Sequence, residues 1–175
     1  MVFVAKSLGQ LSFGKLMEVY REANRENGAL LAPEETEDRQ LQLAEEDFYA
    51  YLHDCFFGKP HASYYIWEEA GSYVSALRLE PYRDGLLLEA LETAPDKRRL
   101  GYAARLMDAV LLSLCEQGSV CVYSHVSKKN IPSLKTHQHC GFQIISDYAA
   151  YIDGSVNHRA YTLQYKKLEK TKIRD

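Results

Sequence analysis

The chain of 175 residues lacks any run of about 18 apolar residues, so no membrane-spanning helix is expected. Its start, MVFVAKSLGQLSFGK, has neither a cationic leading region nor a long apolar one, and a secretory leader is not read there. Excess positive charge is also missing. A net charge of -3 argues against the broad basic field of a nucleic-acid binder, although a local patch can still hold a phosphate. Cysteine is sparse: the four (Cys55, Cys115, Cys121, Cys140) show no CxxC spacing and no disulfide-scaffold density. Buried free thiols and a cytoplasmic location are expected. Neither common nucleotide loop, GxxxxGK[ST] or GxGxxG, occurs. Internal repeats, low-complexity tracts and linkers are absent too.

What remains has ordinary globular chemistry, with 46% hydrophobic and 26% charged residues. A chain of this length can bury a sizeable core, and one domain over residues 1–175 is expected. MVFVAK reads as a first strand. Ser12 is placed to cap a helix to Asn27, with Leu16, Met17, Tyr20 and Ala23 on one face and Gly28 as its stop. Leu41, Ala44, Phe48, Leu52 and Cys55 recur at helical spacing in a second helix. ASYYIWEE, SYVSALRLE and LLLEALET read as strands, the last entered through the turn YRDG. Gly101 to Gln117 reads as a helix, SVCVYSHV as a strand and NIPSLKTHQHC as a short helix. FQIISDYAAYI and HRAYTLQYK form a last hairpin around DGSVN, and residues 166–175 a frayed basic tail. The order β-α-α-β-β-β-α-β-α-β-β implies a mixed α/β (α+β) sheet, mainly antiparallel. The strand–helix–strand unit from Leu86 to Val126 makes one parallel, right-handed crossover.

The stretch LETAPDKRRLGYAARLMDAVLL, Leu91 to Leu112, stands out. A strand breaks at Pro95, three cations follow (Lys97, Arg98, Arg99), and Gly101 opens a helix. A helix start presents unpaired N–H groups and the positive end of its dipole. Small residues there, Gly101 and Ala103, admit a bulky anion. The alternative is an ordinary helix start with solvated cations.

Pro95-Asp96-Lys97-Arg98-Arg99-Leu100-Gly101-Tyr102-Ala103 is similar to the [QR]xxGx[GA] motif of the GNAT superfamily of N-acetyltransferases. Asn130-Ile-Pro-Ser133 through His137 to Gly141-Phe142 resembles that superfamily's N-x-x-[AS]-x-x-x-Y-x-x-x-G-F segment, in register. The element order fits as well. The resemblance covers nearly the whole chain, most specifically Leu86 to Phe142. It implies that the strands Leu86–Thr93 and Val120–Val126 splay apart around acetyl-CoA. The pyrophosphate would rest on Arg98, Arg99, Leu100, Gly101, Tyr102, Ala103 and Ala104. The pantetheine arm would pair with Leu91, Glu92 and Thr93, with Asn130 and Ser133 near it. The implied reaction moves acetyl to a primary amine, of a small molecule or a peptide, by direct attack in a ternary complex. A homodimer through the last strands, which some members form, stays open.

Such a transfer needs a base for the amine, donors for the oxyanion and an acid for the leaving thiolate. The family's usual acid is a tyrosine seven residues after the asparagine, and this chain has His137 there. Histidine can exchange a proton near neutrality, so His137 is the first candidate acid, with Tyr148 and Tyr151 behind it. The departure also admits a rival reading, a catalytically inactive acyl-CoA-binding sensor or interaction module. Candidate bases are His125, Glu92 and Glu89. A regular strand points the two glutamates to opposite faces, and a bulge would change that. A metal is not expected. His137 and His139 sit two apart on a helix and diverge, and His53, His61 and His158 form no constellation. The second helix and its approach carry Glu34, Glu35, Glu37, Asp38, Glu45, Glu46 and Asp47 against Arg39. That run either draws a cationic amine or is a solvated face that complements the helix dipole. Tyr64, Tyr65, Trp67 and Tyr73 either line a pocket or pack in the sheet.

Overall fold

The computed structural model describes residues 1–118 and 120–167. Seven strands form one sheet in the order β1-β2-β3-β4-β5-β9-β6: β1 (Val2–Ala5), β2 (Ser63–Glu69), β3 (Ser72–Tyr82), β4 (Gly85–Thr93), β5 (Val120–Ser127), β6 (Gln143–Ser146) and β9 (Ala160–Lys167). A two-stranded ribbon, β7 (Ala149–Ala150) and β8 (Val156–Asn157), stands beside it. All pairings are antiparallel except β4 with β5. The expected mixed sheet with one parallel crossover is therefore present.

Four α-helices cover the two faces: α1 (Phe13–Leu31), α2 (Glu37–Tyr51), α3 (Tyr102–Glu116) and α4 (Ile131–His139). Strand alternation assigns the faces. Leu77, Leu79, Leu88 and Val122 pack with Leu106, Met107, Val110 and Leu111 of α3. Ala76, Tyr64 and Ile66 pack with Leu16, Met17, Val19 and Tyr20 of α1. Burying each such large apolar side chain contributes roughly 1.5–3 kcal/mol. No helix among the described residues is long and apolar enough to cross a membrane.

Local structure corrects the sequence reading in several places. Helix α1 does not stop at Gly28 but runs on to Leu31. Gly28 is buried because α2 crosses there, and a Cβ on it would lie 2.2 Å from the Gln40 carbonyl oxygen. The glycine is needed for close approach, not for helix termination. Ser12 holds the N-cap position of α1 but makes no side-chain cap bond, whereas Thr36 caps α2 by accepting from the Arg39 N–H. FQIISDYAAYI is not one strand. β6 pairs with β9, and the chain then turns into the separate β7–β8 ribbon around DGSVN. Lys166 and Lys167 pair with Cys121 and Val120 in the sheet, so the expected tail does not begin at 166, and residues 168–175 lie outside the described ones. The thiols are free, as expected, but Cys140 alone is buried and Cys55 is exposed.

Gly28→Ala replaces a poor helix former by one better by about 1 kcal/mol. The overlap with the Gln40 backbone outweighs that gain. Chemical denaturation is expected to show a net loss of about 1–3 kcal/mol.

Candidate active site

β4 and β5 pair at three positions, Leu86 with Val122, Leu87 with Tyr123 and Leu88 with Ser124, and then part. β5 stays straight because β9 holds it through Ser127. β4 leaves because it bulges. Its register with β3 shifts between Ala76 and Arg78, so Ala90 and Leu91 both stand opposite Leu77, and Ala90 takes a φ of 50°. Positive φ is costly for a residue with a Cβ. A buried pair offsets that cost: Tyr20 Oη donates to the Ala90 carbonyl at 2.5 Å, and Tyr64 Oη donates to Tyr20 Oη at 2.7 Å. Burial pushes both phenols well above their usual range, so they stay protonated donors.

Three cavities converge on the bulge. A cleft of about 160 Å³ lies between the splayed strands, lined by Leu88, Ser124, His125, Asn130 and His137. A cavity of about 610 Å³ opens between α1, α2 and the sheet, lined by Asn24, Asp47, Phe48, Tyr51, Asp54 and Arg78. A third, of about 700 Å³, opens over the start of α3, lined by Lys97, Arg99, Gly101, Ala103, Ser133 and Thr136. Leu91 lines all three.

At the mouth of α3, Gly101 is the N-cap residue with φ 82° and Arg99 has φ 62°. No atom lies within 4 Å of where a Gly101 Cβ would be. The first intrahelical bond of this turn runs from Arg105 N–H to the Gly101 carbonyl, leaving the amides of Tyr102, Ala103 and Ala104 facing outward. Arg99 is exposed beside them and has no ion-pair partner among the described residues. Among the described residues Lys97 pairs only with exposed Asp96. Arg98 differs. Its guanidinium is divided between Glu22, Glu92 Oε1 at 3.2 Å and the Thr93 carbonyl at 3.2 Å. Its side chain therefore braces β4 against α1. Leu100 is exposed at the same turn. Asn130 caps α4, its Oδ1 accepting from Ser133 N–H at 3.1 Å.

The sequence matches the acetyltransferase (GNAT) family over residues 16–142. This chain belongs to that family. Solved structures of similar fold include the ribosomal-protein-S18-alanine N-acetyltransferase from Escherichia coli: TM-score 0.64, 13% identity, covering 100% of this chain and 99% of that one. The PaiA N-acetyltransferase from Thermoplasma acidophilum, in complex with coenzyme A, has a TM-score of 0.64 at 12% identity, covering 95% and 99%. An aminoglycoside 6'-acetyltransferase type Ii has a TM-score of 0.62 at 13% identity, covering 97% and 99%. No curated protein matches the sequence.

This acetyltransferase treats its four candidate catalytic side chains unequally. The bulge places Glu89 opposite Arg78 and Glu92 opposite Ala76, which returns both carboxylates to one face of the sheet. Both are paired, Glu89 with Arg78 Nε at 3.3 Å and Glu92 with Arg98. Desolvation still raises both carboxyls above their ordinary range. His137 is 1% exposed, and both ring nitrogens are engaged: Nε2 with Ser124 Oγ at 2.9 Å, Nδ1 with the Ser133 carbonyl at 2.8 Å. His125 is the exception. Both of its ring nitrogens are buried and have no partner among the described residues, and its ring sits edge-on to Tyr82 and Tyr151. Burial, with the Arg83 guanidinium adding to it, holds His125 below the usual histidine range.

The acidic run resolves into parts. Asp47 faces the 610 Å³ cavity together with Asp54 and Glu92, while Glu46 pairs with Arg39 on the surface. Arg78 lies over the Tyr51 ring at 4.7 Å as well as against Glu89. Tyr64 and Tyr73 are core residues, and Tyr65 and Trp67 pack on the α3 side, so the cavity's aromatics are Tyr20, Phe48 and Tyr51 instead. Tyr148 is not among the residues lining the cleft, and Tyr151 reaches it only through the His125 ring. His139 is exposed and points away from buried His137. Sequence reasoning missed Tyr20, Arg78 and Ser124, because nothing local marks a residue whose partner is supplied by another element.

Tyr20→Phe leaves the Ala90 carbonyl and the Tyr64 hydroxyl without their shared partner. Stability in urea is expected to fall by about 1–3 kcal/mol. Acetyl transfer is expected to slow in the same variant at temperatures where it remains folded.

Proposed function

We propose that the chain moves acetyl from acetyl-CoA to a primary amine by direct attack in a ternary complex. The observation that carries this reading is the meeting of three cavities at Leu91: a cationic corner, a narrow cleft and an acidic chamber. The residues fit a CoA diphosphate. A Cβ-free cradle at Gly101 adjoins outward amides, and Arg99 and Lys97 supply charge. The Leu91–Thr93 edge, freed where β4 leaves β5, would hold the pantetheine arm, with Asn130 and Ser133 across the cleft. The thioester supplies the acyl group, and a backbone N–H at the Leu91 bulge would receive the developing oxyanion.

The acceptor enters from the other side. Asp47, Asp54 and Glu92 face the chamber, and its one arginine is neutralised by Glu89, so the local field favours an ammonium ion. An ammonium must lose a proton before it can attack. His125 is the base in this proposal: it lines the cleft, its ring nitrogens are buried without a partner among the described residues, and its environment favours the neutral form. The rival reading, a module that binds CoA without turnover, draws on the paired states of Glu89, Glu92 and His137. Release of CoA thiol in the presence of polyamines, amino acids, aminoglycosides or N-terminal peptides supports the enzyme. Tight CoA binding with no release under any amine supports the module.

Ala103→Glu puts a carboxylate at the corner without disturbing a glycine conformation. Calorimetric CoA affinity is expected to fall more than about tenfold, since each 1.4 kcal/mol lost is a factor of ten. Thermal stability should be unchanged, and undiminished affinity removes the phosphate assignment.

Loss of the His125 imidazole is expected to lower kcat about 10²–10⁴-fold. The folded pKa of His125 lies below its unfolded value near 6.5, so the neutral base persists as pH falls to that value and is lost below it. The acid limb of kcat/KM is therefore expected below pH 6.5 in the parent enzyme and is expected to vanish in His125→Ala. By the same sign, the fold loses stability as acidification drives protonation of buried His125 and His137.

A further inference from the structure

We infer that Ser124, with His137 behind it, is the group that returns a proton to the leaving CoA thiolate, a role for which the sequence had pointed first to His137. The inference rests on the acetyltransferase reading above. Ser124 is the last β5 residue paired with β4, at the vertex where the strands part, and its side chain is 2% exposed. It lines the cleft together with His137. His137 cannot offer a ring nitrogen directly. Nδ1–H donates to the Ser133 carbonyl, which makes Nε2 the lone-pair atom of a neutral ring, and the Ser124 hydroxyl donates to it. The Ser133 carbonyl thus fixes the tautomer that turns Nε2 toward Ser124. Phe142 stacks edge-on against the ring at 5.2 Å and holds its plane. Burial, the larger influence, lowers the His137 pKa, and the Ser133 carbonyl opposes it.

The proton movements balance. His125 takes the first proton, from the ammonium ion, and the neutral amine attacks the thioester carbonyl. The new C–N bond leaves a cationic nitrogen in the tetrahedral adduct. That nitrogen gives its second proton to Ser124 Oγ while the Ser124 hydroxyl proton passes to His137 Nε2. When the C–S bond breaks, its electron pair stays on sulfur. The Nε2 proton then returns to Oγ, and Oγ gives its other proton to sulfur. The amide and the CoA thiol leave, His125 gives its proton to solvent, and His125, Ser124 and His137 are as they began. Ser124 is the catalytic residue of this pair, and His137 is a positioning and proton-holding residue that acts through it.

The test uses full-length protein carrying Ser124→Ala, His137→Gln or both. The parent protein is first shown to bind CoA and to release CoA thiol with an amine, and failure there sinks the enzyme reading, not this one. With acetyl-CoA, each single variant is expected to lose about 10²-fold in kcat while CoA affinity stays within about threefold. The double variant should be no slower than the slower single, because both act on one proton path. With phenyl thioacetate as donor, whose aryl thiolate leaves without a proton, the deficit in kcat/KM should shrink toward unity. Full activity of Ser124→Ala, additive losses, or an undiminished deficit with phenyl thioacetate overturns the proposal. So does acetylated Ser124 in the intact-protein mass spectrum, which would make the hydroxyl a nucleophile instead. If Ser124→Ala fails to fold, the donor comparison on His137→Gln decides alone.

Discussion

Tyr20 donating to the Ala90 carbonyl is the interaction on which the site depends. It fixes a positive φ at a residue with a Cβ, and that conformation lets Ala90 and Leu91 share one place opposite Leu77. The bulge diverts β4 from β5 after three residue pairs. A regular β4 would continue its ladder, the cleft would close, and Leu91 would not border three cavities at once. The strain is local and its compensation comes from α1, so the helix that walls the 610 Å³ cavity also shapes the strand edge.

The same bulge sets the electrostatics. It brings Glu89 and Glu92 to one face, where each meets an arginine, and the arginines are consumed in turn. Arg98 ties β4 to α1, and Arg78 belongs to Glu89 and the Tyr51 ring. Groups without a side-chain partner among the described residues are left at three places: the α3 amides with Arg99 at one mouth, Asp47 at the other, and His125 between them. Paired charges build the walls, and the unpaired ones border the three cavities.

The family acid position shows how a substitution can be absorbed by a neighbour. A histidine on α4 is shorter than a tyrosine and is fully engaged where it stands. Its partner, Ser124, lies on the strand at the vertex of the cleft. The position where the family motif has one tyrosine is here tied to a second element, through the bond between His137 and Ser124.

What the sequence by itself determined is whatever rests on neighbours along the chain. The element order, the parallel crossover and the Gly101 corner follow from periodicity and turn chemistry over a few residues, and the Asn130–Phe142 segment was legible through its resemblance to the family motif. Gly28 marks the limit of such reasoning. Read locally it stops a helix, and in the fold it admits Gln40 of another helix. Only the tertiary structure decided the bulge at Ala90, the commitment of Arg98, the solitude of His125 and the bond between Ser124 and His137. Each of these depends on sheet register and on packing between distant segments, as when Tyr20 meets a carbonyl 70 residues away. Contacts of that kind carry no local signature, because the energy that selects them is shared among residues the chain brings together only on folding.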